Sequence, residues 1–389
     1  MKSDKGIDFV NIVKGFCIIG LIAFHDMNSY LWDVGCYRQA PDVLHSQLLL
    51  LSLITIANYL LWFVPPLFFL LSGYLLASHY QNALSNLKTF YERRIYRILV
   101  PFLAWYPVYL AMRGRFSLKM LMADLVFARE AYHTWFVWAI VICYLLFPAI
   151  IRFEKRHLLF TSRSSATHCR WFAFLSFLLG TYLLADIIIP LAITNSDFVN
   201  GVVNDRILRL TAAIFYFSCG IFIFRIKPKD IPTPLISIRC TTILLVAAIC
   251  IASIKALSSP YSEGPSFSLD RAIWVAFRVL CIFLTSTLVL QLSSVLNMTS
   301  GLAQALKRLG NSSYGVYLGH VAILEASRAL FHTLRAPQPL AYVFAVFVTT
   351  MGACYLLTIP NGSLVLQTLG FSRERHNEQR QLSTPPLAA

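Results

Sequence analysis

The chain has 389 residues, of which 57% are hydrophobic and only 13% charged, too little polar surface to clothe a soluble domain of this length. A net charge of +15 raises nucleic acid as a partner, but the basic residues stand in short clusters between apolar runs rather than along one face, which excludes that class. Nine cysteines show no Cys-x-x-Cys spacing and mostly lie inside apolar runs, so they read as small buried hydrophobes rather than metal ligands or disulfide halves.

Taken in chain order, apolar runs occur at 9–27, 48–78, 98–112, 134–151, 171–189, 208–224, 240–257, 272–296, 312–332 and 340–358. They predict an all-α, polytopic transmembrane helical bundle of about ten spans, embedded in the lipid bilayer. The first run has the basic start of a signal peptide, with Lys2 and Lys5 ahead of Gly15 to Phe24. No small-x-small cleavage site follows it, only His25, Asp26 and Met27, so it is expected to remain as the first span. The second run carries Pro65-Pro66, which must kink it or break it in two. Across the connections, Lys and Arg number 20 on the side of the N-terminus and 11 on the other, which predicts that both termini are cytoplasmic. The segment 113–133 is discordant, carrying Arg113, Arg115, Lys119 and Arg129 on the side expected to be outside. It is either an amphipathic helix in the interface or the sign of a misplaced neighbouring span. The expected division is a membrane domain over 1–371 and a polar, disordered cytoplasmic tail over 372–389.

The first span holds the most informative pair. Lys14 and His25 are both ionisable inside one apolar helix, which is costly and points to a role. Eleven residues separate them, about 16 Å of rise and within about 20° of three whole turns, so both project from one face. The plainer alternative is that Lys14 snorkels to headgroups and His25 marks an interface.

At these residues the sequence resembles acyltransferase family 3, membrane proteins that O-acylate carbohydrates. The Lys14-to-His25 spacing resembles the basic residue, ten residues and His of that family's first helix. Trp62 to Leu76, with Ser72-Gly73, is similar to its aromatic second helix, and Arg93-Arg94-Ile95-Tyr96-Arg97 to the basic loop before its third. His133-Thr134-Trp135-Phe136 looks like its His-x-Trp-Phe span start, and Leu309 to His320 like its late Gly-x-x-Ser-x-x-x-Tyr-Leu-x-His helix. The match covers roughly residues 7–150 and 305–325.

The resemblance implies an O-acyltransferase, in the first instance an O-acetyltransferase, with cytoplasmic acetyl-CoA as donor co-substrate and no metal. The acceptor is a hydroxyl of a surface or secreted carbohydrate, free or lipid-linked, and the location a bacterial inner membrane. His25 is the candidate catalytic base, since imidazole titrates near neutral pH, with Lys14, three turns away on the same face, as the other member of the catalytic pair. Arg93, Arg94 and Arg97 are candidates for the CoA phosphates, although positive-inside anchoring would account for most such arginines. His133, Trp135, Ser72, Tyr317 and His320 are candidates for the substrate path. For Ser72 a bond to its own helix backbone is the heavier alternative. A transporter or flippase without acyl-transfer chemistry is the competing class.

Overall fold

The computed structural model describes residues 2–33, 41–79, 87–112, 133–158, 172–182, 198–225, 238–258, 300–333, 339–359 and 364–371, together with single positions between 277 and 287. The segment 113–132, the tail 372–389 and most of the run 272–296 lie outside the described residues. Among the described residues the protein is helices joined by turns, with no strand. They are α1 (Lys2–Asp33), α2 (Pro41–Leu60), α3 (Val64–His79), α4 (Leu87–Met112), α5 (Trp135–Phe153, continued by a π turn at Glu154–Leu158), α6 (Phe172–Tyr182), α7 (Phe198–Arg225), α8 (Ile238–Ser258), α9 (Gly301–Asn311), α10 (Ser313–Thr333), α11 (Pro339–Leu357) and α12 (Leu364–Thr368).

Among the described residues four stretches are long and apolar enough to cross a membrane: Asp8–Leu31, Leu49–His79, Leu87–Met112 and Trp135–Arg156. Phe172–Tyr182, Thr241–Ile254 and Ala341–Leu357 are shorter apolar helices. Large side chains such as Leu53, Phe172, Phe177, Ile243, Ile254, Phe344 and Leu356 are exposed. A water-soluble surface would not carry so many, whereas hydrocarbon is their natural solvent.

Helix α1 is the axis of the molecule, packing against α2, α3, α9, α10 and α11. Among the described residues, two close helix crossings depend on glycine. At α3–α7, a Cβ on Gly73 would collide with the Phe217 backbone and one on Gly220 with the Leu70 backbone. At α1–α9 the same reciprocity joins Gly15 to Leu306 and Gly310 to Asn11. In hydrocarbon, where apolar helices gain nothing by merely hiding from solvent, such small residues let backbones approach and dispersion do the work.

Three features differ from, or refine, the sequence expectation. The Pro65-Pro66 pair does break the second run: α2 ends at Leu60, and a turn with Val64 N–H to Leu61 O at 3.1 Å precedes α3. The basic stretch with Arg93, Arg94 and Arg97 is not a loop but part of α4, which starts at Leu87 and tolerates Pro101 and Pro107 inside it. Finally, 301–311, counted as a connection, is the amphipathic helix α9. Ser300 caps it, accepting the Ala303 N–H at 3.2 Å, and Lys307 pairs with Asp8 of α1 at 2.7 Å. It is too short and polar to span, so hydropathy alone passes it over.

Candidate active site

Near one end of α1, three histidines from three parts of the chain meet. The His25 ring lies 5.0 Å from that of His320 on α10 and 6.5 Å from that of His133, and His133 and His320 are 5.4 Å apart. All three are buried, at 7%, 2% and 0% exposure for His25, His133 and His320. Three imidazoles withdrawn together from solvent are expensive for folding alone.

Two tyrosines hold the cluster in place. The Tyr317 hydroxyl donates to the His133 carbonyl and the Tyr109 hydroxyl to the Leu318 carbonyl. Their rings also flank His133, at 5.6 Å for Tyr317 and 5.1 Å for Tyr109. His133 sits in the turn that starts α5, its carbonyl also receiving the Phe136 N–H at 3.3 Å. Helices α4, α5 and α10 are therefore tied to one another at this point. On the opposite side, Phe24 packs edge-on against His25 at 5.0 Å and against Trp62 at 5.4 Å. Asn58 of α2 donates to the Phe24 carbonyl at 3.0 Å, fixing α1 one residue before His25.

The tautomer of His320 follows from its bonding. Its Nδ1 lies 2.7 Å from the Tyr317 carbonyl oxygen. A carbonyl only accepts, so Nδ1 carries the proton and the neutral ring keeps its lone pair on Nε2. That Nε2 is buried and has no hydrogen-bond partner among the described residues. Among those residues no group of three or more His, Cys, Asp or Glu side chains is arranged to hold a metal ion.

Lys14 is half-buried three turns along α1 from His25, at the level where Gly15 meets Leu306. The end of α9 touches α1 through Gly310, and the start of α10 touches α4 through Tyr314, whose hydroxyl donates to the Ile98 carbonyl at 2.8 Å. Lys14 and Arg97 thus stand on helices that converge on one junction. Arg94 lies 5.5 Å from the centre of the Tyr144 ring, Arg97 is half-buried, and Arg93 is exposed. Of the cationic trio, Arg93 has the weakest claim to a built site.

Of the residues singled out from sequence, His25, His133, Tyr317 and His320 come together. Trp135 stands two residues from His133, packs against Phe69 at 6.1 Å and carries the Arg209 guanidinium 4.9 Å above its ring. Ser72 does not join them. It is half-buried beside Gly73 at the α3–α7 crossing, and no contact among the described residues links it to the histidines. Sequence reasoning missed Tyr109, which looks like any interfacial aromatic in the run Trp105-Tyr106-Pro107-Val108-Tyr109. It also missed the pairing of Glu154 with Arg225, whose Nε lies 2.7 Å from the carboxylate, because the cluster at 152–170 reads as a topology signal.

The family model for the acyltransferase domain matches residues 7–359. No curated protein and no solved structure matches the chain.

Proposed function

The chain belongs to the acyltransferase domain family, and from that membership we propose that this integral membrane protein moves an acetyl group from acetyl-CoA to a hydroxyl of a surface or secreted carbohydrate. The observation that carries this reading is the convergence of His25, His133 and His320 in a water-excluded site. Lys14 lies on the same helix about 16 Å away. Acyl transfer to an alcohol needs a base for the hydroxyl proton and donors for the developing oxyanion. The imidazole of His25 supplies the first, and a ring N–H of His133 can supply the second.

In this mechanism the acceptor oxygen attacks the thioester carbonyl carbon as His25 takes its proton. The C–S bond then breaks, and His25 returns the proton to the departing thiolate, so that no net charge is left at the site. His320, with its proton fixed on Nδ1, presents Nε2 as an acceptor. That is the polarity needed to orient a donor N–H or O–H beside His25. Lys14, Arg94 and Arg97 are the cations for the donor's phosphates. The long, thin pantetheine arm suits a route between a cationic end and the histidines. Location in a bacterial inner membrane, with the Lys14 end in the cytoplasm and the carbohydrate free or lipid-linked on the other side, completes the reading.

The test is mass spectrometry of surface glycans from the native host, carrying either the intact protein or His25→Ala. An acetyl-sized increment with the intact protein, absent with an equally abundant variant, is the expected result. Identical glycans in both would remove His25 from the chemistry and bring transport to the front.

A further inference from the structure

Helices α1 and α10 run parallel and keep a single register. His25 meets His320, and eight residues further along each helix the Arg328 guanidinium bonds the Asp33 carboxylate. Eight residues is about 12 Å of rise on both helices, so the seam has a histidine floor and an ion-paired rim. Asp26 and Asp33 are seven residues apart, about two turns, and share the face of α1 that meets α10. Asp26 is 1% exposed, and neither carboxylate oxygen has a hydrogen-bond partner among the described residues.

Arg328, bonded to Asp33 two turns from Asp26 on the same face of α1, places a cation on Asp26's side of the seam. It is held by Asp33, by Glu325 at 3.0 Å and by the Tyr342 hydroxyl, yet its buried Nε has no partner among the described residues. Arg328 therefore bonds two carboxylates, and among the described residues the innermost, Asp26, receives no donor. Buried carboxylate oxygens seek O–H or N–H donors, and the open Nε seeks an oxygen. An anion would be repelled by Asp26, Asp33 and Glu325, and a cation would compete with Arg328. A neutral molecule with adjacent hydroxyls satisfies both sides at once.

We propose that Asp26 and Arg328 form the hydroxyl-binding subsite for the carbohydrate acceptor, directly above the histidine cluster. Asp26 accepts hydrogen bonds from neighbouring hydroxyls, Arg328 donates through Nε to an oxygen of the same sugar, and a third hydroxyl is thereby held at His25. This rests on the acyl-transfer reading and assigns that site its acceptor-recognition residues. Asp33 and Glu325 are positioning residues, holding the guanidinium over the seam.

The experiment uses the full-length protein in lipid nanodiscs, with radiolabelled acetyl-CoA as donor and host glycans as the acceptor probe. Asp26→Asn keeps the shape and removes the charge, while Arg328→Lys keeps the charge and removes the Nε donor. Each should lower kcat/KM for the glycan about 10–100-fold, the size of a lost charge-assisted hydrogen bond. Acetyl-CoA affinity, read by equilibrium dialysis, should stay within about twofold of the parent. Label transfer unchanged in both variants, or donor affinity lost in step with transfer, overturns the subsite while leaving acyl transfer in place. Failure of both variants to accumulate as monodisperse protein also overturns it, by making the pair structural. No label in glycan from the intact protein removes the parent reading, and the subsite with it.

Discussion

Two helix pairs of this protein, α3–α7 and α1–α10, are built in opposite ways. Across α3–α7 the contact is made by what is missing: Gly73 and Gly220 bring backbone against backbone and leave no room for a side chain at either position. Across α1–α10 the contact is made by ionisable side chains, from His25 and His320 to Asp33 and Arg328. In a bilayer the first arrangement is the economical way to join helices, and the second is costly unless it serves a purpose. The contrast separates scaffold from candidate site without reference to any relative.

The largest expected effect lies on the polar seam. His25→Ala should lower acyl transfer by about 10²–10⁴, the range for a lost general base, while the protein accumulates normally. A simultaneous collapse of abundance would move His25 to the scaffold side of the comparison. Next comes Glu154→Ala, which strands Arg225 without the partner that ties the Lys14 ends of α5 and α7. Removing one member of a buried pair costs about 3–5 kcal/mol, so thermal stability of the solubilised protein should fall steeply. Replacing both, Glu154→Gln with Arg225→Met, should recover most of it, since the pair is held by mutual need. Gly73→Ala should be milder, about 1–3 kcal/mol, because a Cβ forces α3 off the Phe217 backbone. Acyl transfer per folded molecule should then be unchanged; a specific activity that fell with it would show that the α3–α7 crossing also sets the site.

How much of this was legible beforehand follows from what each feature requires. The helical class is local: long apolar runs admit one backbone solution in lipid, and the break at Pro65-Pro66 is chemistry of the residue itself. Lys14 and His25 could be placed on one face by periodicity alone. The partners of His25 could not, because His133 and His320 lie 108 and 295 residues away in sequence, and only packing brings them within 6.5 Å. Tyr109 stayed hidden because an aromatic at a membrane interface has the same sequence signature as one that pins a histidine. Helix α9 stayed hidden because hydropathy searches for spans, whereas its evidence is a Ser300 cap and an apolar stripe of Ala303, Leu306 and Leu309.

The smallest change separates positioning from chemistry. Tyr317→Phe keeps the ring that packs on His133 and His320 and removes only the hydroxyl that donates to the His133 carbonyl. That carbonyl still receives the Phe136 N–H, so no buried acceptor is wholly stripped. A single neutral hydrogen bond contributes about 0.5–1.5 kcal/mol, which translates into a fall in kcat of roughly 2–10-fold. Affinity for the proposed donor, acetyl-CoA, should not move, because Tyr317 stands at the His25 end of the bundle and the candidate phosphate contacts at the other. A loss as deep as that of His25→Ala would mean that the placement of His133, rather than proton transfer at His25, limits the reaction.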